Sequence, residues 1–146
     1  MIRISTQRFG TVQRDENELI HFPCGIFGFE LHRDWLLLGD REHGALHWLQ
    51  SIEESELALA VVDPREFLAD YSLHANRTSL VNLWNGTEPL IVLSVLTEYQ
   101  QRLCLDLRNP IVINAGRRSG RQIVCTDNRP LQYTLPEQPV PLRQSA

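Results

Sequence analysis

The sequence predicts a mainly β fold: a single-domain antiparallel β-barrel-like or sandwich structure with one or two short helices. Three observations point to it. Apolar and polar residues alternate with a period of two at Ile2-Arg3-Ile4-Ser5 and across Leu103, Leu105 and Leu107, as half-buried strands require. Leu57 to Val62 and Leu90 to Leu96 are continuous apolar runs, too short for convincing helices and expected of strands covered on both faces. Turn formers recur roughly every eight to twelve residues, which favours hairpin-connected strands over a parallel sheet with crossover helices.

Taken in order, the first strand is Ile2–Ser5, followed by strands at 18–22, 34–38 and 46–51. The two apolar runs form the middle of the sheet. Leu103, Leu105 and Leu107 then face the core while Cys104, Asp106 and Arg108 face solvent, and two last strands are expected at 111–114 and 121–125. Gly116-Arg117-Arg118-Ser119-Gly120-Arg121 reads as a hairpin loop between them. Helix is scarce. Asp63 as N-cap and Pro64 in the first turn open a short helix through Leu68, and Asn76 caps a second from Arg77 to Trp84, stopped by Gly86. Beyond Arg129, Pro130, Pro136, Pro139 and Pro141 predict an extended tail, so residues 1–129 form the β domain and 130–146 a Pro-rich extension outside the core.

Composition sets the limits on function. At 146 residues the chain fits one domain, with about 70% of the unfolded surface buried on folding. No apolar run approaches the ~18 residues of a membrane span, and the N-terminus lacks the sections of an export signal. All 14 basic residues are arginine, yet the net charge is −4, which argues against general nucleic-acid binding and favours basic partners. Cys24, Cys104 and Cys125 are odd in number and far apart, which points to a reducing compartment with the thiols acting as small apolar residues. His43 and His47 flank Gly44 in a loop and lack a third ligand in fixed geometry, so no metal is expected. No Ser-His-Asp order assembles, and Gly39 to Gly44 lacks the Lys-Ser/Thr ending of a phosphate loop. The chain is expected to have no enzymatic activity and no cofactor.

The densest signal is Phe22-Pro23-Cys24-Gly25-Ile26-Phe27-Gly28-Phe29-Glu30. Its glycines and proline break helix and strand alike, so the rings sit on irregular backbone. They either plug the end of a barrel or form a binding lip, and both roles fit a protein that grips rather than transforms.

The ordered segments resemble the FliW-type flagellar assembly factors of bacteria. The resemblance is carried by Phe9-Gly10, Phe22-Pro23 with Gly25 and Gly28-Phe29-Glu30, Trp48-Leu49-Gln50-Ser51, Leu57-Ala58 with Asp63-Pro64, Asn109-Pro110-Ile111-Val112-Ile113-Asn114, and Gly120-Arg121-Gln122. Each motif is weak alone; their order across residues 1 to about 125 makes the match specific. Phe27 stands where many members carry proline, as does Ser55, so the local backbone and any pocket at Phe27 are expected to differ from the family pattern.

This resemblance implies a cytoplasmic, non-enzymatic protein of closed or nearly closed β-sheet. It implies two alternative partners: newly made flagellin, and CsrA, the RNA-binding regulator that represses flagellin translation. Secretion of flagellin then frees the factor to sequester CsrA. CsrA is expected to be antagonised away from its RNA groove, with acidic charge disfavouring the approach of RNA. On this reading Phe27, Phe29 and Glu30 are the apolar anchor and its polar rim. Gln50, Asp63, Asn114 and Gln122 either contact a partner or satisfy backbone groups at turns, and Glu53, Glu54 and Glu56 form the repulsive surface. The alternative is a small β-barrel domain that binds an anionic small molecule through Arg117, Arg118 and Arg121.

Overall fold

The barrel closes because its longest strand, Ile91–Tyr99, has more than one neighbour to satisfy. The computed structural model describes residues 1–136. Strands β1 (Ile2–Thr6) and β2 (Gly10–Arg14) form a separate hairpin. They are followed by β3 (Ile20–His21), β4 (Asp34–Gly39), β5 (His47–Ser51), β6 (Ala58–Val62), β7 (Ile91–Tyr99), β8 (Arg102–Leu105), β9 (Ile111–Asn114), β10 (Ser119–Gln122) and β11 (Tyr133–Thr134). The sheet runs β7-β6-β5-β4-β3-β10-β9, and β9 returns to β7 through Ile91↔Ile113, Val92↔Val112 and Leu93↔Ile111, giving a seven-stranded closed barrel. The second half of β7 continues past the barrel to pair with β8, which carries β11. Every pairing is antiparallel except the single β3–β10 contact, His21 to Ser119.

The apolar runs sit in the middle of the sheet because both of their faces are covered. Val61, Leu49, Trp35, Ile20, Leu93 and Ile111 form one cluster, drawn from six of the barrel strands. The alternate side chains of the same strands, Trp48, Ala60, Val62 and Leu96, join Leu103, Leu105 and Leu135 in another. Phe22 belongs to the first cluster and packs so closely on β10 that a Cβ at Gly120 would meet its ring at 2.5 Å. The β1–β2 hairpin covers Leu36 and Leu38 with Ile2, Ile4 and Val12.

Several expectations are corrected. Cys104 is buried rather than solvent-facing, because β11 covers β8. Neither β2 nor β11 was predicted; β2 is short and largely exposed, and β11 lies in the Pro-rich stretch. The ordered domain therefore runs past Arg129: Leu135 is fully buried and its N–H donates to the Leu103 carbonyl. Residues 137–146 of the expected tail lie outside the described residues. The strand expected at 121–125 is Ser119–Gln122, because Pro110 accepts from the Ile123 N–H but has no N–H to return. The helices are 3₁₀ turns. Asp63 caps Pro64–Glu66 through the Arg65 N–H, whereas Arg77–Leu80 has no side-chain cap from Asn76 and ends early, with Asn82 at φ +68°. A further turn, Glu16–Glu18, is closed by a capping box between Asp15 and Glu18.

Candidate functional site

The Phe22–Glu30 segment divides its rings between core and solvent. Gly25 has φ +71°, and a Cβ there would lie 2.5 Å from the Glu30 Cα, so the loop folds back on itself only with glycine. The bend is closed by the Phe29 N–H donating to the Ile26 carbonyl at 2.7 Å. Phe22 and Ile26 point inward and are fully buried, and Phe29 packs half-buried against the same cluster. Phe27 points out and is 48% exposed. Glu30 is not a partner-facing rim alone, since its carboxylate accepts the Gly28 N–H at 3.0 Å, and that bond holds its pKa below the ordinary range. One segment thus carries an inward ring that plugs the barrel and an outward ring open to solvent.

Phe27 is fixed from below by β10. Its N–H donates to Gln122 Oε1 at 2.8 Å, and Gln122 Nε2 donates to the Asn109 carbonyl at 2.9 Å. Gln122 is accordingly a buried bracket between loops. Beside it opens a groove of roughly 650 Å³, lined by Cys24 and Phe27, by residues of the 76–82 segment, and by residues 121–126. Val81 is 51% and Val124 52% exposed, so with Phe27 they place three large apolar side chains on one open surface. Cys24 is exposed there, because the turn at Pro23-Cys24-Gly25 carries it outward.

The acidic turn between β5 and β6 is built on a different plan. Gln50 is fully buried, and its Nε2 lies within 3.0–3.3 Å of the carbonyls of Ser51, Glu54, Ser55 and Leu57. Ser51 Oγ accepts the N–H groups of Glu53 and Glu54. Gln50 therefore shapes the turn from within and is out of reach of a partner. Glu53, Glu54 and Glu56 are exposed, and among the described residues no ion pair neutralises them. Asn114 is also buried, with Nδ2 donating to the Leu83 carbonyl at 2.8 Å and Oδ1 accepting the Arg117 N–H at 3.2 Å. Asp63 spends its carboxylate on Arg65, whose hydrogen bonds hold the Asp63 pKa low. Of the two roles open to Gln50, Asn114 and Gln122, the structure shows the backbone one: each is buried and satisfies backbone groups where strands end.

The three arginines of the β9–β10 region do not converge. Arg117 makes a two-pronged pair with Glu88, at 2.9 and 2.8 Å. Arg118 donates to the Leu19 and Glu18 carbonyls, and Arg121 Nη1 to the Ser79 carbonyl at 2.6 Å. Their separate commitments remove the basis for a shared anion site. Among the described residues no cluster of His, Cys, Asp or Glu has metal-holding geometry, and no helix is long and apolar enough to cross a membrane. His43 instead approaches Asp40, which also accepts the Trp48 indole N–H at 3.0 Å. Sequence reading missed Val81 and Val124. Val124 was legible in principle as an apolar residue at an outward position between Ile123 and Cys125, which face in; Val81 was masked by its expected place in a helix.

A closed β-barrel carrying a groove with exposed apolar side chains and a separate, unpaired acidic turn defines a small barrel protein with two exposed surfaces of different character. The sequence model described as FliW protein matches residues 3–135, and the chain belongs to the FliW family. It is 31% identical to the flagellar assembly factor FliW of Magnetococcus marinus over 140 residues, covering 93% of this chain and 86% of that one. It is 32% identical to that of Natranaerobius thermophilus over 138 residues, covering 91% and 89%. A crystal structure of the flagellar assembly factor FliW superposes with a TM-score of 0.85 at 25% identity, covering 95% of this chain and 100% of that one.

Proposed function

We propose that this protein is a non-enzymatic, cytoplasmic flagellar assembly factor that holds newly made flagellin and, when flagellin is absent, sequesters CsrA and so relieves repression of flagellin translation. The observation that carries the reading is the pairing of an apolar lip at Phe27, Val81 and Val124 with membership of a family whose members are named flagellar assembly factors. Apolar side chains grouped on one open surface are the kind of feature that marks a protein contact. The acidic turn supports the regulatory half. Three carboxylates with no ion-pair partner among the described residues, on a turn hydrogen-bonded to Gln50 and Ser51, would repel phosphates over about 8 Å at physiological salt when brought beside an RNA-binding protein, without entering the RNA site.

The test is calorimetric titration of the folded protein with flagellin and with CsrA from the same organism, followed by a competition in which one is added to the complex of the other. A stoichiometric complex with each, and displacement of one by the other, is the expected result. Failure to bind either partner would refute the assignment.

A further inference from the structure

We infer that the groove beside Phe27 receives an extended protein segment that adds as a strand to the outer edge of the chain at 122–126 and brings a carboxylate to Arg121. This rests on the partner-binding function proposed above and names the surface and the form in which a partner docks.

The edge follows from the β-ladder. Arg121 pairs with Val112 in β9, the Ile123 N–H donates to the Pro110 carbonyl at 3.1 Å, and the Cys125 N–H donates to the Arg108 carbonyl at 2.8 Å. Backbone groups alternate in direction along a strand, so those of Gln122 and Val124 point to the opposite edge. Near Ser119 that edge is covered by β3; it then diverges, and the groove opens where β3 has ended. Among the described residues the Val124 N–H and carbonyl have no hydrogen-bond partner. Past it the Thr126 N–H is taken by the His74 carbonyl at 2.8 Å, which bounds the open stretch. An unpaired N–H and C=O flanked by apolar pockets is what strand addition uses: main-chain bonds supply affinity and alternate side chains are read by the walls. Here Phe27, Val81 and Val124 all line the groove.

Charge selects the occupant. Arg121 is the charged residue lining the groove, and no carboxylate lines it, in a chain whose net charge is −4. Its guanidinium donates to the neutral Ser79 carbonyl, and among the described residues no ion pair involves it. A segment with apolar residues on alternate positions and an aspartate or glutamate beside them offsets that charge, whereas a basic segment is repelled by it.

The experiment titrates the full-length protein with short overlapping peptides spanning flagellin and CsrA of the same organism, read by backbone-amide NMR, with whole flagellin and whole CsrA titrated in parallel. Carboxylate-bearing peptides with alternating apolar residues are expected to bind and to slow exchange of the Val124 amide. Changing their carboxylates to amides should weaken them several-fold, and Val124→Glu, which removes the apolar contact and repels the carboxylate, should weaken peptide and whole partner by about tenfold or more with an unchanged melting temperature. If whole partners bind wild type and Val124→Glu equally, or bind without altering Val124 amide exchange, the groove assignment is overturned while the partner-binding function stands. If wild type binds neither whole partner, both are overturned.

Discussion

The Ser51–Leu57 turn and the Phe27 groove are both exposed surfaces, and they are built in opposite ways. The turn presents charge alone, and its shape is set by one buried side chain, Gln50, whose amide lies close to four carbonyls. The groove presents apolar side chains that come from separated parts of the sequence, Phe27, Val81 and Val124, brought together by the barrel. A locally organised surface suits a long-range electrostatic effect, for which position matters more than detailed fit. A surface assembled from distant segments suits short-range recognition, for which the relative placement of side chains decides affinity.

The contrast is sharpest at Phe22 and Phe27, which share one irregular segment. Phe22→Ala removes a fully buried ring over Gly120 and should cost about 3–5 kcal/mol, read from denaturant unfolding. Phe27→Ala should change stability by no more than about 0.5 kcal/mol, because the ring is half in solvent. Equal losses would remove the distinction between plug and lip.

Gln50→Ala tests whether the acidic turn depends on its buried frame. It leaves carbonyls of a buried site without their donor, and a loss of about 1–3 kcal/mol is expected, with faster amide exchange confined to 51–57. Replacing Glu53, Glu54 and Glu56 together by glutamine should leave stability within about 0.5 kcal/mol. It should also reduce antagonism of RNA binding by CsrA, measured as RNA retention with and without this protein, and added salt should mimic the substitution.

A smaller effect is expected in acid. Burial raises the pKa of Asp40, but hydrogen bonds from the Trp48 indole, the Glu42 and His43 N–H groups and the His43 ring outweigh it and hold the net value below the ordinary one. A carboxyl whose folded pKa is depressed contributes stability above its unfolded value of about 3.9, and that contribution is lost as pH falls through the folded value. Asp40→Asn should therefore flatten the acid limb of the stability curve while leaving a cost at neutral pH; an unchanged acid limb would show that Asp40 is not coupled to folding.

Much of the barrel was legible because period-two alternation and apolar runs report directly on burial: β4, β5, β6, β7 and β9 fall where the pattern puts them. The pattern failed where burial comes from a distant covering element. Cys104 reads as outward-facing until β11 covers it, and Leu135 reads as tail until it enters the core. The candidate surface was half legible. Phe27 stood out by its glycine-rich context, but Gln50, Asn114 and Gln122 kept two possible roles because sequence cannot distinguish a side chain that satisfies a buried carbonyl from one that meets a partner. Val81 and Val124 gave little signal, since a lone apolar residue on a surface is ordinary until the fold sets it beside others.

On the proposed function, the outward ring of the Phe22–Glu30 segment is a docking surface while the inward ring holds the fold. This division is tested most directly by titrating flagellin into the wild-type protein and into Phe27→Ala, with the melting temperature of each recorded. The account predicts a stoichiometric wild-type complex, weakened by about tenfold or more in Phe27→Ala at nearly the same melting temperature. Equal affinity in the two proteins, or a fall in melting temperature as large as that of Phe22→Ala, would contradict it.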